Sequence, residues 1–152
     1  MTFRILTVCT ANICRSPAAQ VLLARAMQNQ KVQVDSAGTL AINGNGADQT
    51  MQLLLNERGY GAIAEHRSQA LLPSLIAKYD LLLCMEDNHL HWITQRSPMA
   101  IAKVKLLGHW EQGRQVADPI GQNRLEYERA LQEIERLSLQ WAHKLIDLGM
   151  CV

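Results

Sequence analysis

The chain has 152 residues, of which 48% are hydrophobic, and its acidic and basic side chains leave a formal net charge of +1. This length supports one hydrophobic core and is short for two, so we expect residues 1–152 to form a single domain. Because the charges are balanced and interspersed, there is no electrostatic reason to expect nucleic acid or an anionic membrane as the main partner.

The sequence contains no clear targeting segment and no cysteine pattern typical of disulfides or zinc. The apolar stretch at the N-terminus is too short for a signal peptide, and no apolar run approaches the ~20 residues that span a bilayer. We therefore expect a cytoplasmic protein without membrane insertion. Its four cysteines, Cys9, Cys14, Cys84 and Cys151, form neither a secretory disulfide framework nor a C-x-x-C zinc pair, so reduced thiols and no metal site are expected.

The first 40 residues predict a strand, a loop, a helix and a strand. The run FRILTVC, residues 3–9, is a β-rich segment, and VQVDSAG, residues 32–38, alternates before a polar turn. Between them Ser16 is the predicted helix N-cap, Pro17 suits the first turn, and an apolar face follows.

The remaining segments continue this alternation. Asp48 is predicted to begin a second helix that breaks near Gly59. YDLLLCM, residues 79–85, and KVKLLG, residues 103–108, have the apolar character of buried strands, and Asp87 is the predicted cap of a helix between them. A long amphipathic helix closes the chain.

This order predicts an α/β fold, a three-layer sandwich in which helices cover both faces of a four-stranded, parallel, twisted sheet. Ligands of such sheets bind at the carboxyl ends of the strands. The loop that follows Cys9 is therefore at the expected place for a site.

Cys9 and Arg15 are separated by five loop residues, namely Thr10, Ala11, Asn12, Ile13 and Cys14. So short a loop can curl so that its backbone N–H groups and the next helix N-terminus converge on an anion of phosphate size. Arg15 could grip two of the anion's oxygens, and a thiol in this positive potential is favoured as the nucleophilic thiolate. Ser16 could donate a hydrogen bond to the sulfur. A lone cysteine at a strand end is more often a small core residue, but the arginine at this interval favours a nucleophile.

These motifs resemble those of the low-molecular-weight protein tyrosine phosphatases, whose signature is cysteine, five residues, arginine, serine or threonine, and proline. The resemblance extends over nearly the whole chain. It includes CTANICRSP (9–17), DSAG (35–38), YDLLLCM (79–85), LLGHW (106–110) and DP (118–119). It implies a Rossmann-like phosphotyrosine phosphatase I fold and hydrolysis of phosphotyrosine without a metal or other cofactor.

The resemblance implies that Cys9 is the nucleophile that forms a cysteinyl-phosphate, that Arg15 holds the phosphate and that Asp118 is the general acid. Expelling a phenolate needs such an acid, and the same carboxylate could then activate the hydrolytic water. The phosphate would be bound by the residues of the loop, Thr10, Ala11, Asn12, Ile13, Cys14 and Ser16.

Further roles follow from the resemblance for residues around the loop. Asn12 would support the loop with Ser36 and His66 as partners, because asparagine tolerates left-handed backbone angles. Cys14 could trap an oxidised Cys9 as a reversible disulfide, although packing under the loop explains it nearly as well.

The sequence departs from the family in the substrate region. Ala11 stands where glycine is usual, and Ile120 and Gly121 follow the DP pair where many members have aromatic residues. The opposite wall falls near Leu40, so aromatic stacking worth about 0.5–1.5 kcal/mol per pair is missing from both walls. A shallow, permissive site is predicted.

The segment SAGTLAINGNGADQT and the GHW motif look most like the bacterial branch tied to capsule and exopolysaccharide production. This implies a phosphotyrosine protein as substrate, the tail of a membrane-associated tyrosine autokinase, with inorganic phosphate as product and a monomeric or weakly dimeric enzyme.

Three alternatives stay open. Arsenate reductase uses the same loop but needs two cysteines in one mid-chain segment, where Cys84 stands alone. Protein arginine phosphatases tend to have threonine at the position of Ile13. A non-catalytic phosphate-binding module is the third, disfavoured by the presence of both Cys9 and Asp118. Finally, the HLHW segment puts His89 and His91 on different helix faces, which favours a solvated helix end over a metal site.

Overall fold

The computed structural model describes residues 1–150, so Cys151, for which the sequence indicated no role, lies outside the described part of the chain. The strands are β1 (Phe3–Cys9), β2 (Val32–Gly38), β3 (Leu81–Cys84) and β4 (Val104–Leu106). The helices are α1 (Arg15–Ala26), α2 (Gln49–Glu57), α3 (Pro73–Ile76), α4 (Asp87–Arg96) and α5 (Arg124–Asp147), with 3-10 turns at Gly61–Glu65 and Pro98–Ala102.

All four strands are parallel and lie in the order β2-β1-β3-β4. Alternate residues of each strand bury opposite faces, as the pleat requires. Ile5 and Leu83 pack in the core formed with α1, α2 and α5, whereas Leu6 and Leu82 pack in the core formed with α3 and α4. The predicted three-layer α/β sandwich is confirmed.

The topology places the loop after β1 at a switch point. Strand β1 is central, and the chain leaves it to form β2 on one side and β3 on the other. Helices therefore diverge at its carboxyl end, where an open sheet of this kind leaves a crevice for a ligand. Residues 10–14 run directly from β1 into α1 at this point.

Two predicted helix caps are wrong. Helix α1 begins at Arg15, one residue before Ser16, and its N-cap Cys14 makes no side-chain capping bond. Helix α4 is capped by Glu86, whose backbone N–H donates to His89 Nδ1 at 3.1 Å, and Asp87 is its first helical residue. The expected caps, Ser16 and Asp87, therefore lie inside the first turn of their helices. The N-cap positions themselves are occupied by Cys14 and Glu86.

The buried strands are also shorter than the apolar runs that predicted them. β3 covers four of the seven residues of YDLLLCM and β4 three of the six of KVKLLG. Some flanking residues still hydrogen-bond to the neighbouring strand, as Asp80 N does to Arg4 O at 2.8 Å and Met85 N to Val8 O at 3.1 Å, but the regular strand ends within the apolar run. Apolar character reflects burial rather than strand pairing. Within residues 1–150, no helix combines the length and the apolar character that a bilayer crossing requires.

Candidate active site

The loop between β1 and α1 presents its backbone donors inward. Among the described residues, the N–H groups of residues 11–14 have no protein acceptor. The loop carbonyls point outward instead: Thr10 O accepts from Leu40 N at 2.9 Å and Ile13 O accepts from Asp48 N at 2.7 Å. Four successive donors on the inner side, beside the N-terminus of α1, make an anion-binding nest.

The thiol of Cys9 lies beneath this nest. Cys9 is 3% exposed, and its Sγ is 2.9 Å from Ser16 Oγ. The amide of Asn12 donates to the same Ser16 Oγ at 2.8 Å, so the hydroxyl hydrogen of Ser16 is directed to the sulfur. A hydrogen bond of this polarity stabilises the thiolate over the thiol.

Arg15 is fixed by contacts from two other segments. Its Nη1 donates to Glu86 Oε1 at 2.9 Å and to Val116 O at 2.8 Å, and the side chain is 3% exposed. Its Nε and Nη2 donate to no protein acceptor in the part of the chain that the structure describes. One edge of the guanidinium is therefore held by the protein, and the other can grip two oxygens of an anion.

Asn12 ties the loop to β2 and to the segment after α2. It is fully buried with a left-handed φ of 57°, a conformation that asparagine tolerates better than most residues. Its Nδ2 donates to Ser36 Oγ at 2.9 Å, and its carbonyl accepts from His66 Nε2 at 2.6 Å. Its Oδ1 accepts from Gln69 N at 2.9 Å. The structure thus brings Ser36 and His66 to Asn12, as the resemblance implied.

We expect Asn12→Ala to destabilise the fold by about 2–4 kcal/mol, because it strips partners from buried polar groups and puts alanine at a positive φ. Urea unfolding measures the loss. Asn88→Ala, at an exposed position in α4, is the matched control and should stay within about 0.5 kcal/mol of the parent. Equal stability of the two variants would contradict a supporting role for Asn12.

A narrow cleft opens above the loop. The residues that line it are Cys9, Ala11, Ile13, Cys14, Arg15, Asp118 and Ile120. Asp118 is exposed, and its Oδ1 accepts from Ile120 N at 3.0 Å, which fixes the carboxylate within the turn. The structure therefore brings the predicted acid to the same cleft as the predicted nucleophile, although more than 100 residues separate them in sequence.

The two predicted substrate walls differ. Ile120 lines the cleft, whereas Leu40 does not; the side chain of Leu40 is 73% exposed, and its backbone N–H donates to Thr10 O. None of the residues that line the cleft within the described part of the chain is aromatic. The side chain of Cys14 is buried in the cleft wall, and burial raises the pKa of its thiol well above the ordinary value.

Two residues of the site were missed by sequence reasoning. Glu86 pairs with Arg15. His89, which the sequence placed at a solvated helix end, is 1% exposed, and its Nε2 lies 2.9 Å from Thr10 Oγ1. The prediction for His89 was wrong because the first turn of α4 packs over the loop. A glutamate three residues before a histidine, directly after a buried strand, is the signal that could have indicated this capping pair.

Buried histidines predict how stability depends on pH. Burial, and then Arg15, lowers the pKa of His89 to about 4, and burial also lowers the pKa of His66. As the pH falls below 6.5, these two histidines bind protons more readily in the unfolded chain than in the folded one. The free energy of unfolding should therefore be highest above pH 6.5, where the histidines are neutral in both states. It should fall toward pH 4, by at most about 1.4 kcal/mol per pH unit for each histidine.

Urea unfolding at several pH values measures this slope. His89→Gln should reduce it, and His91→Asn, which changes an exposed histidine two residues away, should leave it unchanged. An unaltered slope in the His89 variant would assign the acid sensitivity to other groups.

The fold and the loop together define a class of protein: an α/β protein with a binding site for a phosphate-sized anion beside a cysteine thiol. Comparison with known proteins identifies the family within this class. The family model for low molecular weight phosphotyrosine protein phosphatases matches residues 4–147.

The chain is 36% identical over 141 residues to the low molecular weight protein-tyrosine-phosphatase Wzb of Escherichia coli, covering 93% of this chain and 94% of Wzb. Its structure is similar to that of Vibrio vulnificus Wzb in complex with benzylphosphonate, with a TM-score of 0.89, 34% identity and coverage of 95% of this chain and 100% of that one. It is also similar to the structure of the YwlE arginine phosphatase from Geobacillus stearothermophilus, with a TM-score of 0.90, 36% identity and coverage of 97% of this chain and 96% of that one.

The chain belongs to the low molecular weight phosphotyrosine protein phosphatase family. It is a protein-tyrosine phosphatase, and the family and bacterial branch indicated by the sequence resemblance are confirmed.

Proposed function

We propose that the chain hydrolyses phosphotyrosine in two steps through a cysteinyl-phosphate. The Cys9 thiolate attacks phosphorus, the bond to the tyrosine oxygen breaks, and Asp118 protonates the departing oxygen. Water, deprotonated by the Asp118 carboxylate, then attacks the cysteinyl-phosphate, which releases inorganic phosphate and the thiolate. The Cys9 contact with Ser16 beneath a nest of free N–H donors is the observation that carries this proposal.

Arg15 and the loop from Thr10 to Cys14, with Ser16, would hold the phosphoryl group throughout. The transferring group carries negative charge on its equatorial oxygens, and donors fixed before the reaction stabilise that charge without reorganising. The contacts of Arg15 with Glu86 and Val116 supply this preorganisation, because they keep one edge of the guanidinium turned toward the cleft.

A protein segment fits the cleft better than a small aryl phosphate. Ile120 gives one aliphatic wall, and the exposed Leu40 lies outside the cleft lining, so a phenyl ring alone has little to stack on. Contacts beyond the ring would then be needed for affinity. We propose as substrate the phosphotyrosine tail of a bacterial tyrosine autokinase that controls exopolysaccharide or capsule production. The resemblance of the loop segment and of GHW to that bacterial branch supports this.

The same proposal includes a cytoplasmic enzyme that acts as one catalytic domain over residues 1–152, as a monomer or weak dimer. An autokinase tail is reached from the cytoplasm, and the match of the family model to residues 4–147 supports a single catalytic unit.

Arginine phosphatase is the second candidate, because the structure is at least as similar to YwlE as to Wzb. Ile13 lines the cleft at the position where those enzymes tend to have threonine, and this favours phosphotyrosine. Arsenate reduction is disfavoured by Cys84, which is fully buried in the core on the opposite face of the sheet from Cys9 and so cannot relay a disulfide to it.

A single assay tests these proposals. We would compare kcat/KM for one peptide carrying phosphotyrosine, phosphoserine or phosphoarginine, and measure arsenate reduction with a thiol reductant. Phosphotyrosine should be preferred by at least about 10²-fold. Preference for phosphoarginine would replace the function by the second candidate, and absence of all four activities would favour a phosphate-binding module. A tyrosine-rich phosphopeptide tested against a single-phosphotyrosine peptide then examines the autokinase tail.

A further inference from the structure

His89 is a buried titratable group to which the proposed mechanism assigns no role. It is the third residue of α4, it is 1% exposed, and it contacts the loop at Thr10. Sequence reasoning placed it in solvent. A buried histidine with both ring nitrogens engaged is restricted in orientation and in protonation, so its contacts define what it can do.

The backbone of Glu86 selects the tautomer of His89. Glu86 N is 3.1 Å from His89 Nδ1, and a backbone N–H can only donate. Nδ1 is therefore the acceptor and the neutral ring carries its proton on Nε2. Nε2 then donates to Thr10 Oγ1 at 2.9 Å. A second proton on Nδ1 would face the Glu86 N–H, so the contact requires a neutral imidazole.

The groups around the ring favour the neutral form. Arg15 opposes a positive charge on His89, and Asp118 favours that charge to a smaller extent. Glu86 directs its carboxylate to Arg15 and its backbone to the ring. Burial opposes the charge more strongly than Arg15 does, and together they keep the ring neutral at neutral pH.

The first turn of α4 thereby holds both ends of the loop. Thr10 is the first loop residue and is bonded to His89; Arg15 is the last residue of the motif and is bonded to Glu86. Glu86 and His89 are themselves joined, because Glu86 N donates to His89 Nδ1 and His89 N donates to Glu86 O, each at 3.1 Å. A shift at either residue would change the spacing between the two ends of the anion nest.

We propose that His89 is a positioning residue that fixes the phosphate-binding loop through Thr10. Its neutral ring fixes Thr10, at the start of the loop, relative to α4. Glu86 fixes Arg15, at the end of the loop, in the same way. The consequence is preorganisation of the loop donors before phosphate arrives. This inference rests on the proposed function in that the anion bound by the loop is the substrate's phosphoryl group.

Binding of inorganic phosphate, measured by calorimetry, tests the proposal separately from catalysis. His89→Asn retains an acceptor at the Nδ1 position and loses the donor to Thr10, and Thr10→Val removes the hydroxyl at nearly constant shape. Each variant should lower the affinity for phosphate roughly 3- to 10-fold, which is the effect expected from losing one neutral hydrogen bond. The double variant should be no weaker than either single one, because the same bond is lost.

Further variants separate positioning from mere stabilisation. Thr10→Ser keeps the hydroxyl and His89→Gln keeps a donor near the Nε2 position, so both should restore much of the affinity. His91→Asn, at an exposed site in α4, is the control and should bind phosphate like the parent. If the single variants lower the melting temperature but bind phosphate normally, or if their effects add, the proposal is overturned.

Failure of the positioning role of His89 can be distinguished from failure of the proposed phosphatase function. Parent protein that binds phosphate but hydrolyses no phosphotyrosine would refute the function and leave the positioning test intact. Parent protein that is active, with variants of unchanged phosphate affinity and unchanged kcat/KM, would refute the positioning role alone.

Discussion

Replacing Cys9 with serine should lower turnover of a phosphotyrosine peptide by at least about 10⁴-fold while oxyanion binding stays measurable. The hydroxyl of serine ionises far less readily than a thiol, and the structure places Ser16 Oγ, a poor base, as the hydrogen-bonding partner at that position. The nest of loop N–H donors and the free edge of Arg15 are untouched by the change. Chemistry and binding should therefore separate.

Steady-state kinetics and calorimetry with vanadate measure the two effects on the same preparation. Cys84→Ala is the matched control, because it removes a thiol from the core on the opposite face of the sheet and should retain turnover once folded. A Cys9→Ser protein with parental activity would eliminate the cysteinyl-phosphate. Loss of vanadate binding in that variant would mean instead that the sulfur is needed for the nest itself.

The second large effect is expected at Asp118. Asp118→Asn should slow kcat by about 10²- to 10⁴-fold for phenyl phosphate and phosphotyrosine, whose leaving groups need a proton. It should slow a nitrophenyl ester much less, because that leaving group departs readily as an anion. The amide of asparagine preserves the acceptor that Ile120 N uses in the turn, so the geometry of the cleft should survive.

Rates plotted against the leaving-group pKa measure this difference: the slope should be shallow in the parent and steep in Asp118→Asn. Asp147→Asn, an exposed change of the same type at the end of α5, should leave the slope at the parental value. Equal slowing of phenyl phosphate and the nitrophenyl ester would exclude general-acid catalysis by Asp118 and favour an indirect effect.

Much of the site could be predicted from the sequence because its parts are contiguous or have a distinctive spacing. Cys9, the five residues after it and Arg15 lie in a single stretch, and local geometry alone converts that stretch into an anion nest. The alternation of strand and helix patterns likewise predicted the three layers. Asn12 was assigned correctly to a left-handed position because few residue types adopt it at low cost.

The failures share a different cause. Ser16 was expected to cap α1, yet its hydroxyl faces Cys9 Sγ and Asn12 Nδ2 inside the loop. His89 was expected in solvent, yet α4 packs its first turn against Thr10. In each case the local propensity was sound, but another hydrogen-bond partner was available, which for Ser16 lies within the loop itself and for His89 is Thr10, distant in sequence.

The sequence by itself determined the reaction chemistry, since the nucleophile, the phosphate clamp and the loop between them need only the short range of one strand-loop-helix unit. The tertiary structure decided how that unit is held. Ser36 reaches it from β2 and Asp118 from the segment before α5, as the family resemblance implied. Glu86, the N-cap of α4, and His89, within that helix, also reach it and had not been predicted. Contacts of such long sequence separation exist only once the parallel sheet brings the carboxyl ends of its strands together, which no local pattern encodes.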